Sequence, residues 1–441
     1  MIRAALWRTL YSTLWRLVTP LIWIRIWRRS RREPVYGLFP GERFGIYRRA
    51  MPSPARDGYS ATPVWVHAVS LGETRAAQPL ITALLERGLP VLLTHMTATG
   101  RTEGARLFQR EIDQGRLRQV WLPYDMPGAV RRFFRYFTPR CGLLIETEVW
   151  PNLVKAAKHY DVPMALVSAR LSEKSMRSNL RMASLARQTF GSLDAVLAQT
   201  QEDADRLARV GARAPKVVGN LKFDLSLPAA QLDAGLAWNP GLARPVVALA
   251  STREGEEPDF LEAILAAPRT ADGVAPLVIL IPRHPQRFDE VAELVRAAGL
   301  TMIRRSSITG LPKPSDVPPE TQVLLGDSLG EMPFYYAAAD VTIIGGSFAP
   351  LGGQNLIEAS ACGVPVILGP HTFNFAQASE NAIEAGAALR AQSAANAWQL
   401  ALSLLENPAE RALMRQAAAS FSATHTGATR RVMLEISRWL A

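Results

Sequence analysis

The feature that most constrains the fold is a repeated alternation between short apolar runs and longer segments with helical periodicity. Six runs rich in valine, leucine, isoleucine and alanine lie between residues 64 and 198, and six more lie between residues 246 and 368. Buried strands that alternate with helices form parallel sheets covered by helices on both faces. The chain is therefore predicted to be an α/β protein with two doubly wound, Rossmann-like domains.

The predicted strands follow from these runs. The first series comprises residues 64–69, 91–94, 119–122, 142–145, 164–167 and 195–198. The second series comprises residues 246–250, 277–281, 301–303, 323–325, 341–344 and 364–368. Helical segments separate the strands, and an alanine-rich helical tail begins at residue 393.

The length of the chain supports a division into two domains. A chain of 441 residues is too long for one compact core and fits two domains of roughly 200 residues each. Residues 219–244 contain Pro228 and Pro240 but no clear strand, so they are predicted to connect the domains. The expected parts are an arm at 1–33, a first Rossmann-like domain at 34–225, and a second with the helical tail at 226–441. Two such domains facing a cleft make the GT-B architecture, which glycosyltransferases share with some epimerases, so the fold alone does not establish the chemistry.

The formal charge of +11 is concentrated in the arm. Eight arginines and no lysine or acidic residue precede Glu33, namely Arg3, Arg8, Arg16, Arg25, Arg28, Arg29, Arg31 and Arg32. Without these eight, 42 of the 50 lysines and arginines remain against 39 acidic residues, so the rest of the chain carries only about +3. Nucleic-acid binders usually spread basic charge over the folded domain. No nucleic-acid partner is therefore expected.

The arm also has the pattern of an amphipathic membrane helix. At about 100° per residue, one helical face carries Trp7, Leu10, Tyr11, Leu14, Trp15 and Val18, and the other carries Arg8, Thr9, Ser12, Thr13 and Arg16. Such a helix is typical of an anionic lipid interface. The longest uncharged stretch, residues 17–24, is far shorter than the roughly 20 apolar residues of a membrane span. The alternatives are a helix packed on its own protein and a tilted membrane span with snorkelling arginines.

The two cysteines indicate a reducing compartment. Cys141 and Cys362 each lie in an apolar run and are far apart in the sequence. Buried, reduced thiols are the default interpretation, and they fit a cytoplasmic location.

The loop after the first predicted strand carries an acidic residue, Glu73, behind a glycine turn. This position lies at the edge where open α/β sheets bind ligands. A carboxylate there can accept a proton from a sugar hydroxyl. The alternative is an acid in a first helical turn that interacts with the helix dipole, and the motif alone favours it.

Two further loops of the first domain carry polar residues. Thr99 and Arg101 stand at a predicted helix start, where they can hold an anion or a hydroxylated ligand, although a capped helix N-terminus is an equal alternative. Glu146 and Glu148 precede Trp150, and this combination of acceptors with a flat ring suits carbohydrate. The alternative is a helix start with Trp150 in the core.

The second domain carries three candidate loops. Residues 250–256 form a strand-to-helix turn that can bind phosphate through backbone N–H groups. Arg283 and His284 lie between two prolines and offer donors to a phosphate oxygen, a role favoured here over the alternative of solvated loop charges. Asn355 and Glu358 share one side of a helix after a glycine-rich loop, so the glutamate can accept ribose hydroxyls while helix N–H groups face a phosphate. A buried capping network is an even alternative for this helix.

No metal or cofactor is expected. The six histidines show no ligand spacing, and neither a P-loop nor a nucleophile elbow occurs. The acidic pair Asp203 and Asp205 is interpreted as a solvated helix face.

These segments, in this order, resemble the Kdo transferases of lipopolysaccharide synthesis, which are 3-deoxy-D-manno-octulosonic acid transferases acting on lipid A. The matching stretches are HAVSLGE, TATGR, ETEVWPNL, SARLSEKS, VGNLKFD, ASTREGEE, PRHPQRF and GGQNLIEASACGVPVILGPHTFNF. They cover nearly the whole chain, and a basic apolar N-terminal segment is also typical of the family.

The resemblance implies a GT-B enzyme that uses CMP-Kdo as donor and a lipid A precursor of the lipid IVA type as acceptor, with inversion and without a metal. It implies a location on the cytoplasmic side of a bacterial inner membrane, with the arm at the anionic inner leaflet. The family's catalytic base would be Glu73. The family's CMP contacts would fall on Arg283, His284, Leu329, Gly330, Glu331, Asn355, Leu356, Ile357 and Glu358. Acceptor binding is expected from Thr99, Arg101, Glu146 and Glu148.

Two other functions are compatible with parts of the pattern. One is a different GT-B glycosyltransferase or a nucleotide-sugar epimerase, which the choice between CMP-Kdo and UDP-sugars would separate. The other is a membrane-bound sugar-binding or scaffolding protein without turnover. Glu73, Arg283 and Glu358 count against a binder, because binding alone requires no base opposite a nucleotide site.

Overall fold

The computed structural model describes residues 2–47, 62–224 and 227–440. The chain forms two compact units. The first comprises Met1–Leu225 with Thr426–Ala441, and the second comprises Ser226–His425.

The first unit is built on a seven-stranded sheet in which all neighbouring strands run parallel. Its strands are β1 (Val64–His67), β2 (Val91–His95), β3 (Leu117–Trp121), β4 (Cys141–Ile145), β5 (Met164–Ala169), β6 (Ala195–Ala198) and β7 (Lys216–Val217). The order is β3-β2-β1-β4-β5-β6-β7. Val64 pairs with Val91 on one side and with Cys141 on the other, so the direction of winding reverses between β1 and β4.

Nine helices connect or precede these strands within the described residues. They are α1 (Ile2–Leu17), α2 (Thr19–Ser30), α3 (Leu71–Glu86), α4 (Ala98–Asp113), α5 (Pro127–Phe137), α6 (Pro151–His159), α7 (Glu173–Leu180), α8 (Ala183–Phe190) and α9 (Gln201–Val210). Side-chain oxygens of Ser70, Thr97 and Thr200 accept from the first turns of α3, α4 and α9. Such caps satisfy backbone donors that a helix leaves unpaired, which explains where these helices begin.

The second unit repeats this plan with seven parallel strands. They are β8 (Val246–Thr252), β9 (Leu277–Pro282), β10 (Met302–Arg304), β11 (Val323–Leu325), β12 (Val341–Ile344), β13 (Val366–Leu368) and β14 (Ala388–Arg390), in the order β10-β11-β9-β8-β12-β13-β14. Its helices are α10 (Ala229–Trp238), α11 (Glu256–Ala266), α12 (Phe288–Ala297), α13 (Met332–Ala338), α14 (Ile357–Ala361), α15 (Ala376–Glu384), α16 (Ala394–Glu406) and α17 (Pro408–His425). The central strands of both sheets are apolar and buried on both faces, as parallel sheets between helix layers require.

The last two helices belong to the first unit. These are α18 (Ala428–Glu435) and α19 (Ser437–Leu440). Val432, Met433 and Ile436 are buried in the core that contains the residues of β1 and α3. The division predicted from the sequence placed the whole tail in the second domain, and this part of it needs correction because sequence position does not reveal which core receives an apolar helix face.

The arm forms α1 and α2, which break at Val18. Pro20 lies in the first turn of α2, where proline starts a helix without loss of a hydrogen bond. The buried side of the arm faces its own unit, with Ile26 in a cluster that contains Tyr36 and Tyr124. Among the described residues, no helix combines the length and apolar character needed to cross a bilayer.

The predicted division of the arm into an apolar and a polar face was partly wrong. Tyr11 and Trp15 are half-buried, and Ser12 is buried on the same side. The exposed side instead carries a row of large apolar residues, namely Leu6, Leu10, Leu14, Leu17, Leu21, Ile24 and Trp27, which we call the leucine row. One side of the arm therefore packs on the protein and the other presents apolar surface to solvent.

Candidate active site

In each sheet the strand order reverses direction at one point, and this reversal creates a crevice. The point lies between β1 and β4 in the first unit and between β8 and β12 in the second. Open α/β sheets bind ligands outside the carboxyl ends of the strands at such points. The residues predicted from the sequence lie in loops or helix starts that follow β1, β2, β4, β9, β11 and β12.

Glu73 lies in the first turn of α3, directly after β1. Its Oε2 accepts a hydrogen bond of 2.7 Å from the backbone N–H of Val69, and its Oε1 accepts one of 3.1 Å from the Ser70 hydroxyl. Ser70 in turn accepts from the backbone N–H of Glu73 at 3.4 Å. These bonds hold a carboxylate at the carboxyl end of the first strand.

The pKa of Glu73 is raised to about 7. Burial is the main cause, and the negative charges of Glu146 and Glu148 add to it. The hydrogen bonds from Val69 and Ser70 oppose the shift. A carboxyl group with a pKa near 7 can both accept and release a proton at neutral pH, which is what a general base requires.

Glu146 follows β4 and has a left-handed backbone, with φ of 61°. Its buried carboxylate accepts a 2.8 Å hydrogen bond from the Lys222 ammonium and lies 3.4 Å from the Arg170 guanidinium. Glu148 accepts a 3.0 Å bond from the Trp150 indole, and burial raises its pKa. The three predicted acids of the first unit therefore act on one another, and two cations balance part of their charge.

Lys222 was not predicted as a site residue. It lies 76 residues after Glu146, and only the shared stretch VGNLKFD drew attention to its neighbourhood. A single lysine in a connecting segment carries no local signal of an ion pair with a distant loop.

The structure separates Thr99 from Arg101. Arg101 is buried and donates to the Glu42 carboxylate at 3.2 Å, with its guanidinium 4.9 Å from the centre of the Trp121 ring. Thr99 is exposed in the first turn of α4, which Thr97 caps. Arg101 thus has partners within the protein, as the capped-helix alternative for this segment implies, whereas Thr99 remains open to solvent.

Two buried histidines support the end of β1, directly before the helix that carries Glu73. The Nδ1 atom of His95 lies 2.9 Å from the carbonyl oxygen of Ala68, and that of His67 lies 2.8 Å from the Thr94 hydroxyl. Burial lowers the pKa of His95 to about 3 and that of His67 to about 4, so both rings are neutral at pH 7. Sequence reasoning gave neither residue a role.

In the second unit, Arg283 and His284 follow β9. The Arg283 guanidinium donates to the side-chain oxygen of Gln354 at 3.2 Å. Burial lowers the pKa of His284, and the charges of Arg253 and Arg283 lower it further. A neutral imidazole beside two arginines can donate to an anionic oxygen without adding a third charge.

Asn355 and Glu358 contact each other at the start of α14. The Asn355 amide donates to Glu358 Oε1 at 3.2 Å and accepts from the backbone N–H of Ile357 at 3.1 Å. The side chains of Leu356 and Ile357 are buried. Their predicted contacts with a ligand can therefore be made only by their backbone groups. Burial raises the pKa of Tyr336 well above its usual value. The negative charge of Glu358 raises this pKa further and the positive charge of Arg283 lowers it, so both side chains act on the same phenol.

Residues 329–331 form the loop between β11 and α13. Leu329 is 71% exposed, and Gly330 has a φ of 83°. Glu331 is half-buried and accepts a 2.6 Å hydrogen bond from Arg305 and a second one from Ser328. The Glu331 carboxylate is therefore bound by partners within the unit. The part of this loop that remains available to a ligand is its backbone.

The turn at residues 250–256 differs from the expectation that it binds phosphate. The buried carboxylate of Glu256 accepts from the backbone N–H groups of Arg253 (2.8 Å), Gly346 (2.7 Å), Phe348 (2.9 Å) and Ala349 (3.2 Å). The protein thus supplies its own anion to these four donors. Sequence reasoning missed this, because Glu256 was one acid among several in ASTREGEE.

Comparison with known proteins gives a consistent result. A family model described as 3-deoxy-D-manno-octulosonic-acid transferase (kdotransferase) matches residues 40–225. A 3-deoxy-D-manno-octulosonic acid transferase of Bordetella pertussis is 58% identical over 98% of this chain and 99% of its own length. The transferase of the same name from Haemophilus influenzae is 32% identical over 92% of both chains.

Solved structures agree on the fold. A glycosyltransferase from Rickettsia africae is 12% identical with a TM-score of 0.56, covering 86% of this chain and 98% of its own. The UDP-GlcNAc 2-epimerase from Neisseria meningitidis is 15% identical with a TM-score of 0.54, covering 86% and 100%. The predicted fold class, two Rossmann-like α/β domains of the GT-B type, is confirmed.

Proposed function

The chain belongs to the 3-deoxy-D-manno-octulosonic acid (Kdo) transferase family, and we propose that it moves Kdo from CMP-Kdo to a lipid A precursor of the lipid IVA type. Membership makes it a glycosyltransferase of lipopolysaccharide biosynthesis. The proposal adds inversion at the anomeric carbon, Glu73 as the base and a location at the cytoplasmic side of the inner membrane.

The observation that carries this proposal is the environment of Glu73. A hydroxyl oxygen of the acceptor attacks the anomeric carbon of Kdo, the bond from that carbon to the CMP phosphate breaks, and Glu73 takes the hydroxyl proton. A base for this step must be ionised near neutral pH and yet basic enough to take a proton. The position of Glu73 at the carboxyl end of β1, with a pKa raised to about 7, supports this role.

The donor is assigned to the second unit. The departing CMP carries one phosphate, and Arg283 with His284 supplies cationic and neutral donors for its oxygens. Glu358 would accept ribose hydroxyls, with Asn355 and the backbone of residues 356 and 357 beside it. The backbone of residues 329–331 completes the set. A single phosphate requires less countercharge than a pyrophosphate, so no metal is included in the proposal.

The acceptor is assigned to the first unit. Glu146 and Glu148 offer carboxylate oxygens to sugar hydroxyls, and exposed Thr99 offers a hydroxyl. Arg101 is the weakest of the predicted acceptor contacts because Glu42 already neutralises it. The leucine row and the arginines of the arm suit the inner leaflet, where apolar side chains enter the interface and arginines bind anionic head groups.

The test is Glu73→Gln, which keeps the size of the side chain and removes the base. Transfer of Kdo from CMP-Kdo to a lipid A precursor should fall by at least about 10², whereas CMP binding measured by calorimetry should not change. Glu86→Gln, at the exposed end of the same helix, is the matched control. Turnover by Glu73→Gln close to that of the control would remove Glu73 from the base role.

A further inference from the structure

The inner side of the arm makes polar contacts that lipid binding does not explain. The negative charge of Asp125 adds to burial in raising the pKa of the Tyr11 hydroxyl, so these two side chains interact. The Ser12 hydroxyl and the Asn152 amide contact each other at 3.1 and 3.3 Å. The Trp15 ring lies 5.6 Å from that of Tyr124. Helix α1 is therefore docked through specific hydrogen bonds as well as by apolar contact.

Asp125 is wholly buried and bonds to the start of helix α6. Its Oδ2 accepts from the backbone N–H of Asn152 at 3.0 Å, and its Oδ1 accepts from that of Leu153 at 2.8 Å. The Asn152 amide donates to the Asp125 backbone carbonyl at 2.7 Å. A buried carboxylate needs donors to offset its desolvation, and these two backbone N–H groups supply them. Tyr11 of the arm opposes the rise that burial causes in the pKa of Asp125.

The start of α6 adjoins the acidic loop of the candidate site. Pro151 is the first residue of the helix, and Trp150 directly before it donates a hydrogen bond to Glu148. Glu146, the partner of Lys222, lies in the same loop. A shift of the helix start would move both carboxylates, whose charges act on Glu73. The contacts thus run from Ser12 through Asn152 and Asp125 to the loop that sets the charge around the proposed base.

We infer that the arm contributes directly to the acceptor-side site. Tyr11 and Ser12 are positioning residues that hold the start of α6 in place. Through this helix start they also fix the positions of Glu146 and Glu148. This inference rests on the proposed function. It gives the arm a role that is separate from membrane attachment. Kdo transfer should then depend on a docked arm even when the acceptor is not presented in a bilayer.

The experiment uses the full chain, CMP-Kdo and a lipid A precursor dispersed in detergent, so that vesicle binding does not limit the rate. Tyr11→Phe removes one hydroxyl and keeps the ring, and Ser12→Ala removes the contact to Asn152. The matched controls are Tyr160→Phe, at the other end of α6, and Thr13→Ala, on the exposed side of α1.

Both variants should lose about tenfold in kcat, because small displacements of a site's groups slow the chemical step. The KM for CMP-Kdo should stay unchanged, since the donor is assigned to the other unit, and sedimentation with anionic vesicles should also stay unchanged. A general loss of folding would lower the thermal midpoint and the active fraction, so unfolding curves are recorded for each variant.

Two results are decisive. If kcat of both variants lies within about twofold of the controls, the positioning role is overturned. If wild-type protein fails to use CMP-Kdo, or Glu73→Gln remains active, the proposed function fails instead, whatever the arm variants do.

Discussion

The Lys222 ammonium donates a 2.8 Å hydrogen bond to the carboxylate of Glu146, a residue with left-handed backbone at the end of β4. The pair is formed by residues far apart in sequence and is largely shielded from solvent, with the side chains 20% and 10% exposed. It places a cation next to one of the two acids that raise the pKa of Glu73.

Lys222→Met should raise the pKa of Glu73 above its value of about 7. Lys222 is the cation that offsets the negative charge of Glu146, and without it this charge would act more strongly on Glu73. The acidic limb of the kcat/KM profile against pH should move to higher pH. Lys216→Met is the control, since Lys216 pairs with Glu435 on the surface. An acidic limb that stays in place would show that Lys222 does not tune the base.

Glu73→Gln should change how stability depends on pH. With its pKa raised to about 7, Glu73 holds a proton in the folded protein at pH values where the unfolded chain, with a pKa of 4.5, has released it. The stabilisation from this group is therefore complete below about pH 4.5 and is lost as pH rises through 7. Glutamine does not titrate, so the thermal midpoint of the variant relative to wild type should rise by a few degrees from pH 5 to pH 8. A constant difference across this range would contradict the raised pKa.

Arg283→Gln should weaken donor binding. A guanidinium bond to a phosphate oxygen is worth about 1.5–3 kcal/mol, so the KM for CMP-Kdo and the Kd for CMP should each rise by about tenfold or more. Arg296→Gln, on the exposed part of α12 in the same unit, should leave both constants unchanged. Equal constants for the two variants would remove Arg283 from the donor site.

The double variant Leu10→Glu with Leu14→Glu should detach the protein from vesicles of anionic lipid. These side chains are 59% and 58% exposed in the leucine row, and burying a leucine is worth about 1.5–3 kcal/mol. The partition coefficient measured by sedimentation should fall by more than about tenfold. Leu413→Glu, at a 68% exposed position of the second unit, should have no effect. Unchanged sedimentation of the double variant would exclude the leucine row as the membrane contact.

The strands were predictable because a parallel strand buried on both faces leaves a continuous apolar run in the sequence. All twelve predicted strands overlap observed ones, and among the strands of the described residues only the short β7 and β14 were missed. The position of Glu73 near the end of β1 follows from this regularity, since a helix that starts directly after a strand places its first turn at the carboxyl end of that strand. The expected glycine turn does not form, because Gly72 lies inside α3 together with Glu73.

The contacts that tune the site were not predictable, because they join distant segments. The partners of Glu146, the contact of Ser12 with Asn152 and the four donors to Glu256 each depend on how strands are ordered in a sheet, and local periodicity carries no information on that order. The tail was misassigned for a similar reason, since the apolar face of α18 fits the first unit's core, and composition alone does not name its partner.

Glu256 affects how the proposed donor site would receive a nucleotide. Its carboxylate ties the loop after β8 to the loop after β12, so both are ordered before any ligand arrives. Ordering a loop on binding costs conformational entropy, and a loop that is already fixed avoids this cost. If the donor binds to this unit, as proposed, it meets loops that are already fixed, and the shape of these loops then decides which nucleotide fits.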